Sequence, residues 1–261
     1  MKNKLLVALT ILLALVLSVP VLGAEGSYSW YIKRAKEHLT PTIEDCTQNL
    51  LKKYDGWYVN EVCSGLNSEK VIYLTFDVGY ENGNVAKTLD ILKEENVQGA
   101  FFVLSHVIKS SPNLLKRMKE EGHLVCNHTA THKNPCSLTE DALRKEIRTL
   151  EDLYTEKTGE RLSPYFRPPE GKYDEKTLKT VQSMGYKTIF WSLAYADWDD
   201  SQAPSDEKAK EILKNNTHNG AVVLIHPTSN VNARILRDMI EYWRGEGYRF
   251  GSLEELKTQN A

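Results

Sequence analysis

The sequence predicts an α/β fold in which parallel strands are joined by helices. From Val71 onward, short apolar runs alternate with amphipathic segments of helical period, which is the pattern of strand–helix–strand units joined by right-handed crossovers. No repeat, low-complexity tract or internal linker interrupts this alternation. A reactive side chain also follows the end of five of the apolar runs, as in barrel-type α/β folds whose active site lies at that rim. We therefore expect one α/β domain with a functional site at the carboxyl ends of its strands.

Seven apolar runs are predicted to be strands because they are short and bounded by polar or turn-forming residues. In chain order they are Val71–Phe76, Ala100–Leu104, His123–Cys126, Tyr165–Phe166, Thr188–Trp191, Ala221–Ile225 and a last short run at Tyr248–Phe250.

Five amphipathic stripes between these runs predict helices. Their apolar residues are, in order, Val85, Leu89 and Leu92; Leu114, Leu115 and Met118; Leu143, Ile147, Leu150, Leu153 and Tyr154; Leu178, Val181 and Met184; and Ile235, Met239, Ile240 and Trp243. Ser111-Pro112 opens the second helix and Gly122 closes it, while Gly185 ends the fourth. The tetrapeptide Ser137-Leu138-Thr139-Glu140 is predicted to be the capping box of the third.

The N-terminus has the pattern of an export signal. Lys2 and Lys4 precede an apolar run of 18 residues from Leu5 to Leu22, and small residues follow at Gly23-Ala24. This run is long for a cleaved signal and approaches a membrane span, so both cleavage near residues 23–24 and an uncleaved anchor remain open. Residues 1–24 are therefore a signal peptide or membrane anchor, and the protein is expected to be secreted or extracytoplasmic.

The remainder of the chain divides into an N-terminal extension, residues 25–68, and a main domain, residues 69–261. The extension is polar, contains aromatic residues and has no long regular period, so we expect it to pack on the main domain. A net charge of −2 and a pI of about 6.4 exclude a strongly basic nucleic-acid surface.

The four cysteines fit an exported protein. An even count makes disulfides plausible, and the simplest connectivity pairs neighbours, Cys46 with Cys63 and Cys126 with Cys136. A Cys126–Cys136 bond would clamp the loop that holds two histidines. A zinc knuckle and unpaired buried thiols are the alternatives.

Charged or metal-binding side chains follow five of the predicted strands. In chain order they are Asp77, His128, Arg167, Asp197 and His226. His128 and His132 are spaced by four, and two neutral imidazoles at this spacing can converge on one divalent cation. Asp77 has a second interpretation as the cap of a helix near Gly83, and a histidine pair alone is a weak signal.

The residues around these positions resemble the five motifs of the polysaccharide deacetylase (NodB-homology) family, in order and spacing. The matching segments are Thr75-Phe76-Asp77-Val78-Gly79, His128-Thr129-Ala130-Thr131-His132, Arg167-Pro168-Pro169-Glu170-Gly171, Trp191–Trp198 and Leu224-Ile225-His226. Two segments, residues 77–83 and 191–198, further resemble the peptidoglycan N-acetylmuramic acid deacetylases that prepare muramic δ-lactam in spore cortex. The resemblance implies a distorted (β/α) barrel that hydrolyses N-acetyl groups of amino sugars.

The family scheme implies a role for each matching residue. Asp77 would be the base that deprotonates water, and His226 would protonate the leaving amine. Arg167 would hold Asp77 ionised, and Asp197 would hold His226 protonated. His128 and His132 would bind a divalent metal, expected to be Zn²⁺. The backbone N–H near Glu170 is expected at the oxyanion, and a cluster of aromatics, with Tyr195 and Trp198 in the cleft and Trp191 in the core, is expected to contact the sugar.

The chain departs from the family pattern at Val78, where most members have a second aspartate that ligates the metal. Valine has no lone pair to offer, so the metal is expected to be bound weakly, and a Val78→Asp change is expected to supply a third ligand. The substrate interpretations are N-acetylmuramic acid of peptidoglycan, or N-acetylglucosamine of peptidoglycan, chitin or another polysaccharide. A third, from another class, is an inactive carbohydrate-binding protein.

Overall fold

The structure is a computed structural model that describes residues 26–257. Within that range the strands are β1 (Tyr28–Ser29), β2 (Gly56–Trp57), β3 (Val71–Val78), β4 (Gly99–Val103), β5 (Leu124–Asn127), β6 (Ser163–Phe166), β7 (Lys172–Tyr173), β8 (Lys187–Ile189), β9 (Ala221–Ile225) and β10 (Arg249–Phe250). The α-helices are α1 (Asp45–Lys53), α2 (Asn84–Glu94), α3 (Ser105–Ser110), α4 (Pro112–Glu120), α5 (Glu140–Thr158), α6 (Glu175–Ser183), α7 (Asp206–Asn216) and α8 (Asn230–Gly245).

The main sheet has eight strands and is parallel throughout. Its order is β10-β3-β4-β5-β6-β8-β2, and β9 also pairs with β3. Beyond β8, Leu193 forms a parallel bridge to Val223 of β9, and beyond β2, Val59 forms an antiparallel bridge to Ala221. These bridges bring the two sides of the sheet together, so the sheet curls into a distorted barrel. The predicted α/β barrel fold is confirmed.

Strand β3 shows how the sheet divides its side chains between two faces, since successive residues of a strand point to opposite sides. Val71 and Tyr73 belong to an apolar cluster built almost entirely from strand residues, which fills the inside of the curl. Ile72, Phe76 and Val78 belong to the larger cluster that includes the buried faces of α2 and α8. The side chains of the inner face therefore lie directly beneath a site formed at the carboxyl ends of the strands.

The five helices predicted from amphipathic stripes are confirmed as α2, α4, α5, α6 and α8. The capping box predicted at residues 137–140 is wrong. Thr139 is the N-cap of α5 and its side chain accepts a hydrogen bond from the Ala142 N–H at 3.2 Å. Ser137 instead ends a short 3₁₀ turn and donates its hydroxyl to the Asn134 carbonyl at 2.7 Å, so it is not available to cap the helix.

Helices α1, α3 and α7 were not predicted, because each buries too few apolar residues to produce a clear stripe. Helix α7 buries only Ala209 and Leu213. Its start is marked instead by Ser205, whose side chain accepts a hydrogen bond from the Lys208 N–H at 3.2 Å.

The N-terminal segment packs against the main sheet, as expected. Its strand β2 extends the sheet by pairing with β8, and β1 pairs antiparallel with β7. The Trp30 ring stacks on Phe190 with 4.2 Å between centroids. None of the helices in residues 26–257 is long and apolar enough to cross a membrane, and the predicted signal or anchor, residues 1–24, lies outside the described residues.

The four cysteines are free thiols in the structure, so the expected nearest-neighbour disulfides are not formed. Cys126 lies on β5 and points into the inner apolar cluster, where burial raises the pKa of its thiol. Cys136 lies in the 3₁₀ turn before α5 and is only half-buried. In the described part of the chain, no group of three or more His, Cys, Asp or Glu side chains is arranged to hold a metal, which also removes the zinc-knuckle alternative.

Candidate active site

The five reactive side chains predicted from the sequence lie at the carboxyl ends of the parallel strands. Asp77 is the penultimate residue of β3, and the others follow their strands: His128 after β5, Arg167 after β6, Asp197 in the loop after β8, and His226 after β9. The structure brings four of them into two hydrogen-bonded pairs, Asp77 with Arg167 and Asp197 with His226, and it places His128 Nε2 3.6 Å from Asp77 Oδ2.

Arg167 forms a buried ion pair with Asp77. Its side chain is fully buried, and Nη1 donates to Asp77 Oδ1 at 2.8 Å. Nη2 donates to the Thr75 hydroxyl at 2.8 Å, and Nε donates to the Ile189 carbonyl at 3.1 Å. The guanidinium also lies 4.2 Å from the centre of the Phe102 ring. These contacts give partners to the hydrogen-bond donors of a fully buried guanidinium, and they fix the orientation of the Asp77 carboxylate.

The electrostatic surroundings keep Asp77 ionised. Burial alone raises the pKa of this carboxyl, but the Arg167 guanidinium, followed by His128 and His226, lowers it, and the net pKa lies below its ordinary value. A carboxylate in this state can accept a proton from a neighbouring water.

His226 forms the second pair. Its Nδ1 lies 2.6 Å from Asp197 Oδ1, and its backbone N–H donates to Asp197 Oδ2 at 2.8 Å. Burial lowers the pKa of His226, but the hydrogen bond and the charge of Asp197 outweigh it, and the net pKa is raised. Because Asp197 is only 1% exposed, its charge acts with little screening by water. The imidazole is thereby held in its proton-donating form.

Asn232, on α8, completes this pair and was missed in the sequence. Its Nδ2 donates to Asp197 Oδ2 at 2.7 Å and to the His226 carbonyl at 3.1 Å, while its Oδ1 accepts from the Tyr195 hydroxyl. Asn232 is 2% exposed. An asparagine on a helical stripe carries no chemical signal of its own, so only the tertiary structure identifies it.

The two histidines of the His-x-x-x-His motif lie side by side. Their ring centroids are 5.0 Å apart, with His128 buried and His132 exposed. His128 Nδ1 lies 2.8 Å from the Arg167 carbonyl, which can only accept, so Nδ1 carries the proton and Nε2 keeps its lone pair. Burial lowers the pKa of His128 to about 4, although Asp77 opposes this shift. His128 is therefore neutral at pH 7, which is the form that binds metal.

The loop that carries these histidines is fixed by hydrogen bonds rather than by a disulfide. The Asn127 side chain accepts from the Thr129 N–H at 2.9 Å and donates to the Ile147 carbonyl of α5 at 3.1 Å. The Thr129 hydroxyl in turn accepts from the His132 N–H at 3.0 Å. Thr129 and His132 both have positive φ, 70° and 58°, a strained arrangement that suits a functional loop.

The donor set fits a divalent metal held by two imidazoles. The next carboxylate oxygen is Asp77 Oδ2, 3.6 Å from His128 Nε2. Three protein ligands are usual for a catalytic zinc site, and water or a substrate oxygen would have to complete this one.

The side chain of Val78 is directed away from the face of β3 that carries Asp77, so the structure gives no support to the expectation that Val78→Asp would supply a third ligand. Val78 is fully buried in the outer apolar cluster with Val85 and Val103. Asp77 lies on the opposite, inner face of β3, because adjacent strand residues alternate. A carboxylate that kept this orientation would enter the outer apolar cluster, to which α2 also contributes.

The remaining predicted site residues fall in different places. Trp198 is 67% exposed, with its ring edge-on to His226 at 6.4 Å, which suits the cleft. Tyr195, also expected in the cleft, is buried in the outer cluster beneath Asp197, because its hydroxyl is used by Asn232. Glu170 is exposed and has a φ of 56° in the turn after Arg167. Trp191, expected in the core, is half-buried, 5.7 Å from the Arg167 guanidinium.

An ionised carboxylate and a protonated imidazole at one sheet edge are what acid–base hydrolysis requires, since one group must take a proton and the other must give one. The fold and the site together define a hydrolase built on a distorted α/β barrel.

Comparison with known proteins identifies the family. The polysaccharide deacetylase family model matches residues 64–189. The chain is 38% identical over 228 residues to the peptidoglycan-N-acetylmuramic acid deacetylase PdaA of Bacillus subtilis, covering 87% of this chain and 85% of that protein. It is 29% identical to a peptidoglycan-N-acetylglucosamine deacetylase of Bacillus cereus, covering 73% of this chain and 89% of that protein.

Solved structures agree with this assignment. The structure of B. subtilis PdaA, a family 4 carbohydrate esterase, superposes with a TM-score of 0.84 at 37% identity and covers 89% of this chain and 97% of that one. A family 4 carbohydrate esterase from Bacillus anthracis gives a TM-score of 0.72 at 35% identity, covering 88% and 95%. The chain belongs to the polysaccharide deacetylase family, whose members are hydrolases that act on carbon–nitrogen bonds.

Proposed function

We propose that this protein removes N-acetyl groups from the amino sugars of peptidoglycan, with N-acetylmuramic acid as its substrate sugar. The observation that carries the proposal is that Asp77, held ionised by Arg167, and His226, whose pKa is raised by Asp197, lie at the same rim. Similarity to a peptidoglycan-N-acetylmuramic acid deacetylase over 87% of the chain supports the choice of sugar. The product is a muramic acid with a free amine beside its lactyl group. These are the two groups that a muramic δ-lactam of spore cortex joins.

The two pairs divide the reaction between them. Asp77 Oδ2 takes a proton from water, and the resulting hydroxide attacks the carbonyl carbon of the acetamide. The backbone N–H near Glu170 donates to the oxygen that becomes negative. His226 then gives its proton to the nitrogen, the carbon–nitrogen bond breaks, and acetate and the free amine leave. Arg167 and Asp197 act on the two catalytic groups through their charges.

His128 and His132 would hold a divalent metal, for which Zn²⁺ is the proposed identity. When bound, such an ion lowers the pKa of water and polarises the acetyl carbonyl. With two imidazoles and no third ligand in the His-x-x-x-His motif, its affinity is expected to be modest.

The second candidate is deacetylation of N-acetylglucosamine, which is favoured by the similarity to a peptidoglycan-N-acetylglucosamine deacetylase. The chemistry would be unchanged, and only the sugar seated beside Trp198 would differ. The two catalytic groups argue against an inactive carbohydrate-binding role, since a binding protein has no use for two oppositely shifted acid–base groups.

We further propose that the catalytic domain is residues 69–261, that residues 25–68 are an extension packed on it, and that residues 1–24 direct export. A polymer of the cell wall is reached only outside the cytoplasm, so substrate and export signal agree. Immunodetection of the protein in culture medium and in washed membranes distinguishes release from anchoring.

The decisive experiment is acetate release from peptide-free peptidoglycan strands, followed by mass spectrometry of the sugars. Loss of acetyl from the lactyl-bearing sugar supports the main proposal, and loss from its neighbour supports the alternative. Asp77→Asn serves as the control. Acetate release no faster than that of Asp77→Asn on either sugar, with Zn²⁺ added, would refute both.

A further inference from the structure

A groove lies beside the catalytic pairs and is lined by residues 30–34 of the N-terminal segment together with Trp191 and Ala194. We name it the N-terminal groove. Its volume of about 530 Å³ falls within the range of ligand pockets, about 300–1,000 Å³.

Two contacts connect the lining of the groove with residues of the catalytic rim. Trp191 lines it and also lies 5.7 Å from the guanidinium of Arg167, the partner of Asp77. Arg34 donates from Nη2 to the Ala194 carbonyl at 3.0 Å, and Ala194 stands three residues before Asp197 in the same loop. Because the two sugars alternate along the strand, a reacting muramic acid at Asp77 would place the next muramic acid, two sugars along, in this groove.

The lining combines aromatic surface with positive charge. Tyr31 is 73% exposed and Trp191 is half-buried, and flat exposed rings are surfaces on which sugar rings stack. Lys33 and Arg34 are exposed, and no Asp or Glu is among the described residues that line the groove. The Arg34 guanidinium uses one of its five N–H groups in the hydrogen bond to Ala194, so the other N–H groups can donate to a ligand.

We propose that the N-terminal groove is a glycan subsite that binds a sugar carrying a carboxylate, with Tyr31 and Trp191 against the ring and Lys33 and Arg34 at the carboxylate. This inference rests on the proposed function, since the lactyl group of muramic acid supplies that carboxylate once the peptide is absent. N-acetylglucosamine has no carboxylate, so the groove distinguishes the two sugars. The extension before residue 69 thereby contributes to substrate choice as well as to packing.

The test measures binding to two probes of equal length by isothermal titration calorimetry. One is a peptide-free tetrasaccharide of alternating N-acetylglucosamine and N-acetylmuramic acid, and the other is the tetrasaccharide of N-acetylglucosamine alone. An Asp77→Asn background prevents turnover during the titration. The Lys33→Gln, Arg34→Gln double variant is expected to bind the muramyl probe about tenfold more weakly and the neutral probe within twofold of the parent.

Three further measurements separate this role from a structural one. Lys33→Gln alone leaves the Arg34 contact with Ala194 intact and is expected to weaken binding of the muramyl probe, but by less than the double variant does. Lys36→Gln, an exposed lysine of the same segment outside the lining, is expected to change neither Kd. On the Asp77 parent, the double variant is expected to raise KM for the muramyl strand and leave kcat unchanged.

Unchanged binding of the muramyl probe by the double variant would overturn the subsite, as would equal losses for the two probes. Either result can occur while the parent still releases acetate, so failure of the subsite is distinguishable from failure of the proposed function. A discrimination between probes that fades in 1 M salt would support the charge-based mechanism.

Discussion

Replacing Val78 with aspartate separates two interpretations of the metal site. Valine stands where most of the family has a ligating aspartate, yet its side chain is fully buried in the outer apolar cluster, toward α2. If this orientation is kept, the new carboxylate meets apolar side chains rather than a metal. We therefore expect Val78→Asp to destabilise the fold without strengthening metal binding.

The magnitude follows from the burial of the side chain. Losing the burial of one valine costs about 1.5–3 kcal/mol, and leaving a carboxylate buried without a partner costs several kcal/mol more. The sum, at least about 4 kcal/mol, is a large part of the about 5–15 kcal/mol that stabilises a typical domain. Val78→Ala, which removes only methyl groups, is the matched control, and we expect it to cost about 2 kcal/mol.

Urea unfolding at pH 7, with and without Zn²⁺, measures both effects. The pKa of the buried carboxyl would be raised above its unfolded value of about 3.9, so the destabilisation should grow as pH rises through 4 and shrink below it. Val78→Asp should unfold at much lower urea than Val78→Ala, and Zn²⁺ should not close the gap. Stability equal to that of Val78→Ala, together with tighter Zn²⁺ binding than in the parent, would show that the carboxylate reaches the histidines and refute the reasoning.

Three further outcomes are expected. Arg167→Met leaves Asp77 buried without its partner and should lower the free energy of unfolding by about 3–5 kcal/mol, measured in urea. Asp197→Asn removes the charge that raises the pKa of His226, so the alkaline limb of kcat/KM should move to lower pH in a pH–rate profile. Asn232→Ala removes the amide that orients Asp197 and should lower kcat about tenfold with little change in KM, in acetate-release assays.

Each of these outcomes has a control or a contrary result. Lys53→Met breaks an exposed ion pair with Glu175 and should change the free energy of unfolding little, because exposed ion pairs contribute little to stability. An equal cost for Arg167→Met would therefore contradict its buried role. An unmoved alkaline limb in Asp197→Asn would mean that His226 is not the proton donor. A rise in KM without a fall in kcat for Asn232→Ala would place it at the substrate instead of behind His226.

The sequence predicted seven of the ten described strands, and the residues at the ends of five, because both depend on local patterns. Apolar runs such as Ala221–Ile225 stand out from their neighbours, and a charged or polar residue immediately after one is easily seen. The parallel arrangement then brings Asp77 and Arg167 into contact, although 90 residues separate them in the chain.

Other features depend on contacts that no local pattern records. The role of Asn232 follows from the packing of α8 against the loop after β8, and the burial of Tyr195 follows from the same contact. The outward direction of Val78 is a matter of strand alternation that a motif comparison overlooks. The cysteines suggested disulfides by their number alone, whereas the inward direction of Cys126 on β5 keeps it from Cys136.

The stacking of Trp30 on Phe190 makes the N-terminal segment part of the support for the catalytic arginine. The Phe190 carbonyl accepts from Arg167 Nη2 at 3.3 Å, and the Trp30 indole N–H donates to the Trp191 carbonyl at 2.9 Å. Gly171 permits this close approach, since a Cβ there would lie 2.7 Å from Cβ of Trp30. A truncated protein that begins at residue 69 would thus retain every motif of the family and still lose the packing behind Arg167. We therefore expect the smallest active form to be longer than the stretch by which the family is recognised.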